Sequence, residues 1–179
     1  TINVTFNTRA IIEVGQPITI CEGVTTVTIS STGDNTSTFN WTGGNGSFSP
    51  NNALTTTYTL NPNEITAAQI DLTLTAQKGS CPDSLDVLSI RIIPIPSVHA
   101  GKDTLLCRAT NFNLVGSGPS SAAFKWYAIP SQTIISLQNI ATLANIQSAG
   151  DYVFEASTSN NCSNTDTISI QIYDLPTLS

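Results

Sequence analysis

The stretch Leu88-Ser-Ile-Arg-Ile-Ile-Pro-Ile-Pro96 alternates apolar and polar residues and then runs into spaced prolines. A second version, Ile168-Ser-Ile-Gln-Ile-Tyr-Asp-Leu-Pro176, follows near the end of the chain. Alternation with period two predicts a half-buried β-strand, and a nearby proline predicts its end. Each copy closes the same cassette of a cysteine, a tryptophan and a second cysteine, which are Cys21, Trp41 and Cys81, then Cys107, Trp126 and Cys162. This repetition predicts two tandem modules.

The composition favours an all-β protein. Only 10% of the 179 residues are charged, and Thr, Ser and Asn are abundant, which suits exposed faces of β-sheets better than exposed faces of helices. We assign residues 9–95 to the first module and residues 96–179 to the second. Residues 1–8 resemble the closing strand of a preceding module, because Ile2, Val4 and Phe6 align with Leu88, Ile90 and Ile92.

Short strands at regular spacing, about seven to a module, predict two antiparallel β-sandwiches. In the first module the predicted strands are Ile18–Ile20, Val24–Ser30, Ser37–Trp41, Thr55–Leu60, Ile70–Ala76 and Leu85–Ile93. In the second they are Thr104–Leu106, Phe112–Val115, Phe124–Tyr127, Thr133–Ile135, Ala141–Leu143, Tyr152–Ala156 and Thr165–Ile172. Asn61-Pro-Asn-Glu64 carries helix-capping residues and predicts one short helical turn through about Ala68.

The tryptophans are predicted to lie in the two cores. Trp41 and Trp126 fall on the third strand of their modules, where an immunoglobulin-type sandwich buries its tryptophan. Each follows a phenylalanine two positions earlier, so both side chains share one strand face. The alternative is an exposed tryptophan that stacks on a ligand. Tyr152, after Gly150 and Asp151, resembles the tyrosine corner of such folds and is a further core candidate.

The four cysteines predict two disulfides and an oxidising compartment. Pairing within each repeat, Cys21 with Cys81 and Cys107 with Cys162, keeps each module self-contained. A zinc site needs closely spaced ligand pairs, and the chain has a single histidine.

Two loops are candidate ligand-binding sites. The first is Gly43-Gly-Asn-Gly46, which includes Gly44 and Asn45, and the second runs from Tyr127 to Gln132. The glycine-rich run lacks the lysine and the following helix of a phosphate-binding loop, so an ordinary hairpin is the simpler interpretation.

The remaining chemistry argues against an enzyme, and no catalytic residue or cofactor is predicted. His99 falls in the linker, and the carboxylates Asp71, Asp86 and Asp151 are isolated in sequence. Calcium binding at Asp103 or Asp174 has no Asp-rich loop to support it. The formal charge of -6 without a basic cluster disfavours nucleic acid, and no apolar stretch is long enough to span a bilayer.

Several motifs together resemble a known family. They are Thr19-Ile-Cys-Glu-Gly23, Gly46-Ser-Phe-Ser-Pro50, Thr57-Tyr-Thr-Leu60, Glu64-Ile65, Leu72-Thr-Leu-Thr75, Cys81-Pro82 and His99-Ala-Gly-Lys-Asp-Thr-Leu-Leu-Cys107. They are similar to the PKD-like and immunoglobulin-like repeats of giant Bacteroidota surface proteins, such as SprB-type gliding-motility adhesins exported by type IX secretion. The resemblance implies an extracellular, cell-surface location and a non-enzymatic role in a long adhesin or filament. Neighbouring repeats, and surface glycans or the substratum, are the implied partners.

The resemblance also implies O-glycosylation at Asp followed by Ser or Thr and an apolar residue. Ser84, Thr104 and Thr167 lie in such triplets. For the N-terminal strand, two interpretations stay open. It belongs to a covalent array of modules, or it is donated to a neighbouring subunit to build a filament.

Overall fold

The computed structural model describes residues 2–3, 8–34, 37–108, 110–144 and 147–173 as β-strands joined by turns and loops. The chain divides into two compact units, Thr1–Pro94 (unit 1) and Ile95–Ser179 (unit 2). The strands of unit 1 are β1 (Ile12–Glu13), β2 (Ile18–Cys21), β3 (Thr26–Ser30), β4 (Thr32–Gly33), β5 (Thr38–Gly43), β6 (Ser47–Ser49), β7 (Thr55–Thr59), β8 (Gln69–Gln77) and β9 (Ser84–Ile93). Those of unit 2 are β10 (Thr104–Cys107), β11 (Phe112–Val115), β12 (Ala123–Ile129), β13 (Thr133–Ser136), β14 (Ile140–Leu143), β15 (Gly150–Ser157) and β16 (Ser163–Tyr173).

Unit 1 has a four-stranded sheet in the order β2-β9-β8-β5 and a three-stranded sheet in the order β3-β7-β6, beside the short β1-β4 pair. Its long strands β8 and β9 are antiparallel neighbours. The edge strand β2 instead runs parallel to β9, with Ile18 opposite Ile90 and Cys21 opposite Ile93. The first long strand of the unit therefore lies beside the last and points the same way.

Unit 2 repeats this arrangement with one change. Its larger sheet has the order β10-β16-β15-β12-β13, and β11 pairs with β14 in a second sheet. The edge strand β10 runs parallel to β16, with Thr104 opposite Ile170 and Cys107 opposite Tyr173. The strand after the tryptophan strand belongs to the larger sheet here, whereas its counterpart β6 in unit 1 belongs to the smaller one.

Each core lies between the two sheets of its unit and contains the tryptophan. Trp41 is 2% exposed and Trp126 is fully buried, and both indoles donate to a backbone carbonyl, that of Ala53 (3.0 Å) and that of Asn139 (3.2 Å). Most side chains around each tryptophan come from alternate residues of the strands, which face the core. On β8, for example, Ile70, Leu72, Leu74 and Ala76 point inward. The residues occupy the positions that strand periodicity predicts for them.

Each strand predicted within the two modules overlaps a strand of the structure. Three additional short strands, β1, β4 and β6, carry too few residues for alternation to reveal them. The predicted helical turn at 61–68 is wrong. Asn61 Oδ1 does accept from the Asn63 amide (3.0 Å), and Glu64 Oε2 accepts from the Asn61 amide (2.8 Å), as in a helix cap. The chain continues only as turns before β8 begins at Gln69, because one turn is too short to offset the cost of helix nucleation.

Candidate functional site: the two ends of each sandwich

The end of each sandwich where its last strand begins, here called the leading pole, holds the incoming chain. In unit 1, Ser84 Oγ donates to the Ala10 carbonyl (2.6 Å). Asp86 Oδ2 accepts from the Val14 amide (2.9 Å), and Asp86 Oδ1 accepts from the Val87 amide (2.9 Å). One carboxylate thus ties the incoming segment to β9.

Unit 2 contains the same clamp. Asp166 Oδ2 accepts from the Ala100 amide (2.7 Å), Asp166 Oδ1 accepts from the Thr167 amide (2.9 Å), and Asn164 Nδ2 donates to the Pro96 carbonyl (3.1 Å). The amide from Ala100 is the largest cause that lowers the pKa of Asp166, followed by the hydrogen bond with His99. We call Asp86 and Asp166 the clamp aspartates.

His99 is an addition to this clamp and not its basis. Its Nδ1 lies 3.0 Å from Asp166 Oδ2, and its side chain is 65% exposed. In unit 1 the residue before the clamped amide is Glu13, and the clamp forms without an imidazole. The pairing of His99 with Asp166 is therefore explained by the clamp alone.

The other carboxylates considered for catalysis also recur as a structural pair. Ser89 Oγ donates to Asp71 Oδ1 (2.7 Å), and Ser169 Oγ donates to Asp151 Oδ1 (2.6 Å) across equivalent strands. The bond from Ser89 is the largest cause that lowers the pKa of Asp71. Among the residues that the structure describes, no group of three or more His, Cys, Asp or Glu is placed to hold a metal ion. Asp103 accepts from the Ser169 amide (2.9 Å), and Asp174 lies outside the described residues.

The cysteines of each unit lie at opposite ends. We call the end where the last strand finishes the trailing pole. Cys21 is there, opposite Ile93, whereas Cys81 precedes the start of β9. Cys107 lies opposite Tyr173, and Cys162 directly precedes β16. At roughly 3.3 Å per residue, β9 and β16 separate the two cysteines of a unit by about 30 Å.

The predicted disulfides, Cys21 with Cys81 and Cys107 with Cys162, are therefore wrong. A disulfide needs Cα atoms within about 7 Å. The structure has Cys21 and Cys162 in the disulfide-bonded state and Cys107 as a thiol. Cys162 is buried, and Cys107 is exposed.

The glycine-rich candidate loop is not a hairpin, since it carries the chain from β5 in one sheet to β6 in the other. Two buried side chains accept hydrogen bonds from its backbone. The Gly46 amide donates to Tyr58 Oη (2.8 Å), and the Asn45 amide donates to Glu64 Oε1 (2.6 Å). A Cβ on Gly44, which has a φ of 61°, would overlap the Tyr58 hydroxyl. The glycines are explained by this close packing.

The Tyr58 and Glu64 pair beneath the loop was not apparent in the sequence. Tyr58 is fully buried and Glu64 is 4% exposed, and the Tyr58 hydroxyl donates to the Glu64 carboxylate at 2.8 Å. Burial is the main cause that raises the pKa of Tyr58 to about 12. The capping pattern around Glu64 was the only available signal, and it pointed to a local turn.

Two predicted tyrosine roles change in the structure. Tyr127 belongs to strand β12, not to the following loop, and Lys125 Nζ lies 5.1 Å from its ring centroid. Tyr152 is half-buried at the margin of the core of unit 2. The fully buried tyrosine is Tyr58, in unit 1.

The candidate glycosylation residues differ in accessibility. Ser84 is buried and its hydroxyl is bonded to Ala10, so a glycan there would require opening of the clamp. Thr104 is half-buried, and Thr167 is exposed. Thr1 and residues 4–7, which form most of the predicted closing strand of a preceding module, lie outside the described residues.

Comparison with solved structures returns tandem immunoglobulin-like domains. The insect immune protein hemolin gives a TM-score of 0.50 at 11% identity, over 96% of this chain and 49% of hemolin. The titin fragment I67-I69 gives 0.46 at 14% identity, over 94% and 67%, and the Ig1-2 module of Drosophila DLAR gives 0.40 at 11%, over 93% and 100%. This chain spans about half of the hemolin chain. No protein-family model and no curated protein matches it.

The likeness concerns the fold: the chain forms two tandem immunoglobulin-like β-sandwiches. Within the described part of the chain, no helix is long and apolar enough to cross a membrane.

Proposed function

We propose that this chain is a non-enzymatic, load-bearing segment of a long extracellular adhesin or surface filament. The observation that carries the proposal is the parallel pairing of the first long strand with the last in both units, β2 with β9 and β10 with β16. Tension applied between the two ends of a unit pulls these strands past each other. Their hydrogen bonds are then loaded together in shear, and they must break together.

The bonds at the ends of these ladders identify the amides that carry the load. The Glu22 amide donates to the Ile93 carbonyl (2.7 Å), and the Arg108 amide donates to the Tyr173 carbonyl (3.3 Å). Amides alternate in direction along a strand. The Ile20 amide therefore points to β9, as the Glu22 amide does, and the Leu106 amide points to β16, as the Arg108 amide does. The amide of Thr19 points away from β9.

What the two units share supports the same proposal. The tryptophan, the clamp aspartate and the Asp–Ser pair recur in both, whereas the loops proposed as ligand sites differ. A binding module would instead be expected to repeat its ligand contacts. A cell-surface location and a type IX secreted, SprB-like gliding adhesin as parent are the finer part of this proposal, and they rest on the sequence motifs quoted above.

The test is single-molecule stretching of the full chain in reducing buffer. We expect one discrete force peak per unit, each releasing roughly 30 nm of chain at about 3.5 Å per residue. Ile20→Pro removes a bonded amide and should lower one peak, whereas Thr19→Pro removes an outward amide and should leave both nearly unchanged. Smooth extension without peaks in the unmodified chain would overturn the proposal.

The alternatives have separate readouts. A glycan array with specific hits that are lost on changing the 43–46 loop would make this a glycan-binding module. Light scattering after size exclusion, with and without residues 1–7, addresses strand donation. Polymers that vanish with the deletion would indicate a filament subunit, and a monomer in both forms fits a covalent array. Intact-mass measurement of the native protein tests the proposed glycans on Thr104 and Thr167.

A further inference from the structure

The Gly43–Gly46 loop contains a chemically reactive pair of residues. Asn45-Gly46 is the only Asn-Gly step in the chain, and Asn45 is exposed. The backbone nitrogen that follows an asparagine can attack the side-chain amide carbon and close a five-membered imide. Glycine hinders this attack least, because it has no Cβ. Packing requires the glycine here, since a Cβ on Gly46 would overlap the Thr59 carbonyl oxygen.

Two hydrogen bonds hold the torsion on which ring closure depends. Rotation about the Cα–C bond of Asn45 is defined by the nitrogens of Asn45 and Gly46 at its two ends. The Asn45 amide donates to Glu64 Oε1 (2.6 Å), and the Gly46 amide donates to Tyr58 Oη (2.8 Å). Both acceptors are buried, and the Tyr58 hydroxyl donates to Glu64 Oε1 at 2.8 Å. The two nitrogens are therefore attached to one buried pair of side chains.

The hydrogen bond to Tyr58 cannot survive cyclisation. An imide nitrogen carries no hydrogen, so after ring closure Gly46 has no donor for Tyr58 Oη. Burial raises the pKa of Tyr58 to about 12, so the side chain stays a neutral phenol, which does not remove the amide proton. Tyr58 therefore holds the attacking nitrogen in its protonated, unreactive form.

We infer that Asn45 is a self-modification site, which the Tyr58–Glu64 pair keeps unreacted in folded unit 1 and which reacts when that pair opens. In the reaction the Gly46 nitrogen loses its proton and bonds to the side-chain carbon of Asn45, and ammonia leaves. Water then adds to either carbonyl of the imide and gives aspartate or isoaspartate. The reaction needs no oxidant, metal or enzyme. The inference does not depend on the load-bearing role.

The product prevents the loop from regaining its original contacts. Either product adds a negative charge close to the Glu64 carboxylate, and isoaspartate also adds a methylene group to the main chain. The loop has no room for the longer backbone, because it crosses between the sheets against Tyr58. A transient opening of unit 1 thus becomes a permanent change. The corresponding turn of unit 2, Pro130–Gln132, has no Asn-Gly step.

The first experiment follows conversion of Asn45 in the full chain by peptide mapping, at a mildly alkaline pH well below the pKa of Tyr58. Folded chain is incubated beside the same chain in urea, and fragmentation of the peptide that contains Asn45 distinguishes asparagine, aspartate and isoaspartate. We expect conversion at least about tenfold slower in the folded chain, which corresponds to an opening free energy above about 1.4 kcal/mol. A smaller ratio, or the absence of isoaspartate in urea, would overturn the inference.

Tyr58→Phe tests the shielding hydroxyl in the folded chain. It removes the acceptor for the Gly46 amide but keeps the ring in the core, so loss of the hydrogen bond should accelerate conversion about 3- to 10-fold. Tyr152→Phe, at the half-buried tyrosine of unit 2, is the matched control and should leave the rate unchanged. An unchanged rate in folded Tyr58→Phe would contradict the shielding role. The comparison with urea uses no variant, so it decides the inference even if Tyr58→Phe fails to fold.

Refolding tests whether the modification is permanent in its effect. Asn45→Gln retains the backbone amide and lengthens the side chain, so the five-membered ring cannot form. After long incubation in urea and dilution, Asn45→Gln should recover more native unit 1 than the unmodified chain, measured by Trp41 fluorescence in a Trp126→Phe background. Equal recovery after complete conversion of Asn45 would show that the loop tolerates the product and would overturn the permanent effect.

Discussion

The two units differ most clearly after the tryptophan strand. In unit 1 the chain leaves β5 through Gly43–Gly46 and enters the opposite sheet as β6, whereas in unit 2 it turns at Pro130–Gln132 and returns beside β12 as β13. The buried core tryptophan and the aspartate clamp are nevertheless present in both units. The comparison shows that the short connection after the tryptophan strand decides which sheet the next strand joins. The core tryptophan and the aspartate clamp are the features that both repeats keep.

The largest expected effect concerns what the units share. Trp41→Ala and Trp126→Ala should each destabilise their own unit by about 3–5 kcal/mol, because each leaves a large cavity in a core. Hydrogen exchange resolved by peptide assigns the loss to one unit. The comparison predicts similar losses, and a loss below about 1 kcal/mol in either unit would show that its tryptophan is not the centre of the core.

The next largest effect concerns the buried Tyr58–Glu64 pair described in unit 1. Glu64→Ala should cost about 3 kcal/mol, since it leaves the Tyr58 hydroxyl and the Asn45 and Asn61 amides without their acceptor. The exposed Glu13→Ala is the matched control and should change stability by less than about 0.5 kcal/mol. Trp41 fluorescence in a Trp126→Phe background reports on unit 1 alone.

Substitutions of glycine by alanine give a smaller loss of stability. They separate the cost of backbone strain from the cost of steric overlap in the Gly43–Gly46 loop. Gly15 and Gly44 both have positive φ, but a Cβ on Gly15 meets no atom within 4 Å. Gly15→Ala should therefore cost about 1 kcal/mol from strain alone, and Gly44→Ala should cost about 1–3 kcal/mol more. Equal losses in urea unfolding would mean that Tyr58 does not support the loop.

The clamps should behave alike despite the additional histidine in unit 2. Asp86→Ala and Asp166→Ala are each expected to cost about 1.5–3 kcal/mol, the range for hydrogen bonds to a charged group, whereas His99→Ala should cost less than about 1 kcal/mol. The pKa of Asp166 is lowered in the folded state, so its contribution is complete above the ordinary value near 4. It should be lost as the pH falls through the folded-state pKa. A His99→Ala loss as large as that of Asp166→Ala would contradict this account.

The last effect concerns the ionisation of Tyr58, which changes stability only at alkaline pH. Its pKa is raised to about 12, so the folded state favours the neutral phenol. The resulting stability, about 2–3 kcal/mol, is complete below pH 10 and lost between about pH 10 and 12. Absorbance of tyrosinate should show a late step that is missing in Tyr58→Phe, and a titration unchanged by that substitution would contradict the buried pair.

Strand positions and the two core tryptophans could be read from the chain because they depend on local alternation. The strand segments on both sides of Trp41 and Trp126 repeat with period two, and burial of one face follows directly. The two-residue strands β1 and β4 and the crossing at Gly43–Gly46 could not be read in this way. They depend on contacts with residues that are distant in sequence.

The sequence by itself determined a tandem all-β repeat with a tryptophan in each core, because periodicity and repetition are properties of neighbouring residues. Only the tertiary structure decided where the cysteines lie and what the aspartates hold. The parallel placement of β2 beside β9 puts Cys21 and Cys81 about 30 Å apart, and it brings Asp86 to the amide of Val14. Strand direction and sheet order depend on contacts between residues that are distant in sequence. They place the two cysteines of each unit at its opposite ends, although the sequence alone predicts that the two are paired.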